Sequence, residues 1–360
     1  MADFLGVSSL KTLSVRAIAA SLLVTWAGIG STAVAEQTFS DRPEAMEATA
    51  QQSFIGVDGN RFVNEAGETV IFRGLAFSDP ASLLERGVWG RGYFEAAKSW
   101  NANLVRIPIH PGHWKALGEK QYLSMLDDAV RWAGELDMYV IIDWHTIGNP
   151  LTGVFHGPNY ITSRDETFRF WHTIANRYRN NPTVAFYELW NEATNYNGQF
   201  GRMPWGDYKA FLEDLIWMIQ KIDPKVVPLV CGFNWGYDLR NIQREPIEAK
   251  GIGYVVHPYP QKSKNWDYDW EQIWGFAAQN YPVIATEFGF MREDEPGSHN
   301  PVIGDEVYGE AIIKFFEERG ISWTPWVFDP LWTPNLILDW DYTPSTHGAF
   351  FRQKMMELNK

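Results

Sequence analysis

Eight short apolar runs recur along the chain, at residues 70–76, 104–109, 139–143, 184–189, 227–231, 254–256, 283–286 and 322–328. Most are unbroken hydrophobic stretches. That is the mark of parallel strands buried on both faces, since one-sided strands alternate. Amphipathic segments lie between them, at 122–136, 166–178, 208–222 and 307–319. In the third, Phe211, Leu215, Met218 and Ile222 recur near helical spacing, with Glu213, Asp214 and Lys221 outside. Eight strand–helix repeats predict an α/β chain folded as a single (β/α)8 TIM barrel over residues 54–360. An open doubly wound sheet would need a glycine-rich phosphate turn after its first strand. The chain instead reads Arg73-Gly74-Leu75-Ala76-Phe77-Ser78. Turn signals at Val57-Asp58-Gly59-Asn60 and Asn64-Glu65-Ala66-Gly67 predict a small N-terminal hairpin around Arg61-Phe62-Val63.

Residues 1–35 read as a secretory signal peptide. Lys11 and Arg16 precede an apolar run at 17–30, and Ala33-Val34-Ala35 is a small-x-small cleavage site near Ala35. Residues 36–53 are polar and alanine-rich, and are expected to form a flexible linker. The mature protein is thus expected outside the cytoplasm, extracellular or periplasmic, with no membrane attachment after signal removal. The formal net charge of −13 argues against nucleic acid and anionic membranes as partners. The single cysteine, Cys231, excludes an internal disulfide or a cysteine-based metal cluster; in its apolar run it reads as a buried bystander. A monomer is expected. The chain carries 18 tryptophans, more than a core requires, which suits an uncharged ligand with apolar faces.

Barrel enzymes place their chemistry at the C-terminal ends of strands. Here the second run ends in His110, the third in Asp143-Trp144-His145 and the fourth in Trp190-Asn191-Glu192. The sixth ends in His257-Pro258-Tyr259, the seventh in Thr286-Glu287-Phe288-Gly289, and the eighth in Trp326-Val327-Phe328-Asp329. Glu192 and Glu287 end runs four and seven, on opposing arcs, and both can face a central cleft. Two carboxylates across a cleft are what glycosidic bond cleavage requires. His110-x-x-His113, or His145 with Asp143, could suggest a metal. Pro111-Gly112 breaks the helical spacing of the first pair, and the His-x-His of barrel metallohydrolases is absent after run one. No metal or other cofactor is expected. Asp143 and Glu188 are expected to lie in the barrel wall and pair with basic groups.

Taken together, these strand ends resemble family 5 of the glycoside hydrolases, over residues 54 to about 340. The resemblance implies Glu192, in Asn191-Glu192, as acid/base and Glu287 as nucleophile. It implies supporting roles for Arg106, His145, Asn191, His257 and Tyr259. It places Trp326 beside the scissile bond and Trp235 on the acceptor side. His110, Trp144 and Trp332 are further substrate-binding candidates, and Trp89, Trp114, Trp266 and Trp270 weaker ones. Trp132, Trp171 and Trp217 fall in helical patterns and read as core. The chain departs from many relatives in having Phe288 after the nucleophile and Trp190 before Asn-Glu. Neither position carries chemistry.

Arg106 is expected to hold Glu287 ionised, and the charge of Glu287 to raise Glu192. The Gly- and Asn-rich segment 148–164 is expected to shape the cleft. The implied activity is a secreted, retaining endo-β-1,4-glucanase acting on β-glucan, with Asp143-Trp144-His145 tilting the reading toward cellulase. A β-mannanase, xyloglucanase or mixed-linkage glucanase would use the same machinery. A non-catalytic carbohydrate-binding barrel would not explain the intact glutamate pair.

Overall fold

The computed structural model describes residues 52–359. The signal and nearly all of the linker lie outside the described residues. Gln52 and Ser53 are docked on the barrel: Thr183 Oγ1 donates to the Gln52 side chain (2.8 Å) and the Tyr139 hydroxyl to the Ser53 carbonyl (3.0 Å).

Eight parallel strands form one ring: β1 (Leu75–Ala76), β2 (Leu104–Ile109), β3 (Tyr139–Trp144), β4 (Val184–Glu188), β5 (Val227–Cys231), β6 (Gly253–Val256), β7 (Val283–Ala285) and β8 (Ser322–Trp323). The ring closes between β8 and β1. Gly74 N–H donates to the Trp323 carbonyl (3.0 Å) and Trp323 N–H to that of Phe72 (2.8 Å). A Cβ on Gly74 would stand 1.8 Å from the Leu104 carbonyl oxygen, so this crossing admits only glycine. The predicted barrel is what forms, with its first and last strands shorter than the apolar runs. Val70 and Phe72 spend their N–H groups on the Phe62 carbonyl and Ser322 Oγ. Pro325 has no N–H to offer a ladder, and the Trp326–Val327 peptide beyond it is cis.

The predicted hairpin pairs Gly56–Asp58 with Arg61–Val63. Its Phe62 ring packs edge-on against Phe72 (6.1 Å) and Phe186 (4.9 Å), closing the barrel floor. Helices at Arg91–Ser99, Glu119–Glu135, Arg164–Tyr178, Trp205–Ile222, Trp266–Ile273, Glu306–Arg319 and Thr346–Leu358 flank the ring. A Ser163–Glu166 capping box starts the third of these, which satisfies otherwise orphaned N–H groups. The fourth buries Tyr208, Phe211, Leu212, Leu215, Ile216 and Ile219. Trp217 lies off that stripe and is 67% exposed, with the Lys221 ammonium 5.8 Å from its ring. The expectation of a core Trp217 is therefore wrong: helical context alone does not assign a face. Trp171 is fully buried and Trp132 partly so. Among the described residues no helix is long and apolar enough to cross a membrane.

His347, buried at the start of the last helix, faces the rings of Phe290 and Phe351. Burial lowers its pKa to about 4. The neutral ring is the native form, so its stabilisation is complete above the unfolded value of about 6.5. It is lost as pH falls toward 4, because only the unfolded chain then takes up the proton. The stability difference between the parent and His347→Gln should shrink over that interval. Urea unfolding at several pH values would measure it; a pH-independent difference would count against this account.

Candidate active site

The barrel interior holds charge where a packed core would hold aliphatics. Arg106 on β2 is fully buried. Its Nε and Nη2 donate to both oxygens of Glu188 (2.7 and 2.9 Å), and Nη2 lies 3.0 Å from Asp143 Oδ2. Asp143 and Glu188 sit side by side in the β3–β4 register. Two adjacent buried carboxylates are tenable only with a cation between them. The expectation that both pair with basic groups inside the wall is met. Nη2 also donates to Asn191 Oδ1 (2.7 Å), and Nη1 approaches Glu287 Oε2 at 3.4 Å.

Glu192 and Glu287 stand above this base, both nearly buried. Each places a carboxylate oxygen within 4.8 Å of one on the other. Tyr259 donates its hydroxyl to Glu287 Oε1 at 2.8 Å. His257 Nδ1 meets Glu192 Oε1 at 3.0 Å, and its Nε2 meets Thr286 Oγ1 at 3.1 Å. Thr286 donates its proton to Glu188 Oε1 (3.0 Å), so its hydroxyl accepts from His257 and Nε2 carries hydrogen. The line between His257 Nδ1 and Glu192 Oε1 therefore holds one transferable proton.

The rest state of that proton corrects an expectation. Burial works to raise Glu192, but the His257 hydrogen bond, aided by the charges of Lys262, His257 and Arg106, brings it below the ordinary carboxylate value. Burial raises Glu287, with the charge of Glu192 adding to it; His257, Arg106 and Tyr259 oppose the rise. His257 itself is raised, since Glu287, Glu188 and Glu192 outweigh its desolvation. Glu192 is thus the lower of the two carboxyls, and His257 is held toward its protonated form. Arg106 is too fully engaged by Glu188 and Asp143 to hold Glu287 down alone.

A cleft of about 850 Å³ opens over the pair. Trp326 lies parallel to the His145 ring (5.3 Å, 2°) and to Trp332 (6.0 Å, 13°). Asp143 Oδ2 fixes His145 through Nδ1 at 2.7 Å, and Asp79 Oδ2 fixes His110 in the same way at 2.9 Å. Trp235, Tyr259, Trp326, Trp332, His110 and His145 all line the cleft. Trp144 does not. It is buried, stacked on Phe170 at 4.0 Å, with its indole N–H on Thr167. Side chains alternate along a strand, so with Asp143 and His145 facing inward Trp144 must face the helices. Trp114, Trp266, Trp270 and Trp89 also pack outside the cleft, against Phe170, one another and Phe94. Cys231 is buried beside the Tyr208 hydroxyl at 3.3 Å, as anticipated for a bystander.

A family model described as cellulase (glycosyl hydrolase family 5) matches residues 63–331. The chain belongs to glycoside hydrolase family 5. It is therefore a glycoside hydrolase. The solved β-glucanase SdGluc5_26A from Saccharophagus degradans is 47% identical, with a TM-score of 0.87 and coverage of 88% of this chain and 98% of that one. That protein has also been solved in complex with cellotetraose. Endoglucanase A of Butyrivibrio fibrisolvens is 24% identical over 285 residues, 76% of this chain and 59% of its own length. Endoglucanase Z of Dickeya dadantii is 26% identical over 292 residues, again 76% and 59%. The chain thus spans less than two thirds of either endoglucanase.

Several cleft residues have no strand-end signal in the sequence. His156 and Tyr160 arrive from segment 148–164, which does shape the cleft as expected; burial pushes Tyr160 up to about 12. Lys262 follows the His-x-Tyr end of β6. Its Nζ donates to the Trp235 carbonyl at 2.8 Å. Asn234 and Trp235 are both left-handed, with φ of 56° and 54°. A bulky side chain there costs about 1–3 kcal/mol per residue. Lys262 holds the strained carbonyl in place, and its charge lowers Glu192. Replacing Lys262 with Met should loosen the Trp235 platform, raising KM on polymer several-fold. It should also raise the pKa of Glu192. With Glu192 as the proton donor that the resemblance implies, the alkaline limb of the kcat/KM profile should move to higher pH. A profile unchanged in both respects would remove Lys262 from the site.

Proposed function

We propose that the chain is a secreted, monomeric endo-β-1,4-glucanase that cleaves with retention of anomeric configuration. The observation that carries the reading is the Glu192–Glu287 pair, with oxygens within 4.8 Å across a tryptophan-lined cleft. Retaining glycosidases hold their carboxyls about 5–5.5 Å apart, whereas inverters leave about 6.5–9.5 Å for a water. Secretion is supported by the signal pattern of residues 1–35. The substrate is supported by the endoglucanase relatives and by the β-glucanase that binds cellotetraose.

In the first step Glu287 attacks the anomeric carbon as the bond to the leaving oxygen breaks. Tyr259 and Arg106 steady the attacking carboxylate. The proton on the His257–Glu192 line passes through Glu192 to the departing oxygen. Asn191 keeps its Oδ1 on Arg106, while its buried Nδ2 has no hydrogen-bond partner among the described residues. That free donor suits the 2-hydroxyl of the sugar under attack, a contact that strengthens in the transition state. Loss of the Glu287 charge in the ester lets Glu192 accept a proton from water, which attacks the same carbon and frees Glu287. No step needs a metal or cofactor.

Mixed-linkage β-glucan is the second reading, favoured by the description of the 47%-identical structure as a β-glucanase. Reducing-sugar release on carboxymethylcellulose, mixed-linkage glucan, xyloglucan and galactomannan separates the readings. Activity confined to galactomannan would overturn both. Glu287→Gln should lose at least about three orders of magnitude in kcat while keeping its melting temperature. Proton NMR of the first product should show the β-anomer; an α-anomer would falsify the nucleophile role.

A further inference from the structure

A cluster of ligand-type side chains stands at the barrel rim, outside the chemistry assigned above. Asp79 follows β1 and caps the helix Pro80–Glu85. His110 follows β2, and His113 lies one turn on, in the short helix Pro111–Leu117. Pro111-Gly112 does not separate the two histidines, contrary to the expectation from sequence. Proline at the first helical position opens that helix, and the two rings come to 5.1 Å between centroids. One ligand atom from each of the three residues lies within 4.8 Å of the others.

The bonding around Asp79 is overcommitted. Its Oδ1 accepts from the Ala81 N–H (2.7 Å) and the Tyr122 hydroxyl (2.8 Å). Its Oδ2 accepts from the His110 N–H (2.8 Å) and lies 2.9 Å from His110 Nδ1. These contacts use all the lone pairs a carboxylate has. His113 Nδ1 nevertheless stands 3.2 Å from the same Oδ2, buried and with no hydrogen-bond partner among the described residues. A buried polar atom without a partner calls for an explanation. A cation supplies one: Oδ2 keeps the backbone N–H and turns its other lone pair to the ion, and the two Nδ1 atoms become ligands instead of rival donors. The separations suit this, since a tetrahedral ion with bonds of about 2.0–2.1 Å sets its ligands about 3.3 Å apart. Two imidazoles and a carboxylate favour zinc and its transition-metal neighbours over calcium and magnesium, which take oxygen ligands. Asn159 Nδ2 lies 3.3 Å from His113 Nε2. Turning that amide over presents its oxygen instead, which keeps hydrogen on Nε2 and leaves Nδ1 bare.

We propose that Asp79, His110 and His113 form a binding site for a divalent ion of the zinc class, tying the rim end of β1 to that of β2. The ion takes no part in bond cleavage. His110 also lines the cleft, edge-on to Trp332 at 5.6 Å, so an ion held here fixes that ring beside the indole.

The test uses the purified chain, stripped with a chelator, and zinc chloride as the probe. Calorimetry at neutral pH should show one equivalent bound. Saturating zinc should raise the melting temperature by several degrees, because an ion that binds only the folded chain stabilises it. His113→Gln, at a partly exposed position, should lose both effects. Glu192, His257 and Glu287 form the other such cluster among the described residues, so Glu287→Gln is the control and should keep both. X-ray absorption on the zinc-loaded parent should count two imidazoles, which the catalytic cluster with its single histidine cannot supply; this readout needs no variant to fold. No zinc uptake, fewer than two imidazoles, or binding lost in Glu287→Gln and kept in His113→Gln would overturn the site.

Discussion

The guanidinium of Arg106 is the constraint on which the rest of the site depends. It is fully buried and satisfies two carboxylates that are neighbours in the β3–β4 register. Removing one partner of a buried ion pair commonly costs about 3–5 kcal/mol, because the other charge is stranded. The same side chain fixes Asn191 and approaches Glu287, so the base of the barrel and the reaction centre share one cation. Asp143 in turn aims His145, whose ring lies flat against Trp326. From one arginine the order spreads to a glutamate, an amide, an imidazole and an indole.

A second chain of contacts runs from Glu188 through Thr286 and His257 to Glu192. It makes the proton between His257 and Glu192 a property of four groups. Carboxylates outnumber cations in this space, and against its desolvation the three acids around His257 raise its pKa. The protonation of the site is thus set by the arrangement of its neighbours.

The barrel was legible because parallel strands buried on both faces must be continuous apolar runs, and the eight runs carried that mark. The strand-end residues were legible for the same reason: a titratable group directly after such a run has one place to go. Trp144 was named a substrate candidate for its place at the rim end of the third run, whereas a strand turns successive side chains opposite ways. Trp217 was misread because spacing was applied without locating the buried stripe. Lys262 was invisible, since its importance lies in a carbonyl contact 27 residues away in sequence. The order of the two glutamate pKa values could not be read either, because it depends on a 3.0 Å contact between β4 and β6 ends.

The left-handed run at Asn234, Trp235 and Gly236 ties two roles together. Gly236 is packed so closely on His257 that a Cβ there would lie 3.0 Å from the imidazole, and its carbonyl accepts the His257 N–H. The Trp235 ring in the cleft and the His257 ring beside Glu192 therefore rest on a single piece of backbone. Divergence on this side of the cleft is coupled: a change that relocates Trp235 also disturbs the seat of His257. The opposite wall, built from Trp326 and Trp332, is not joined to His257 in this way. That wall is anchored separately, through the His145 ring to Asp143 and Arg106, so the two sides of the cleft answer to different contacts.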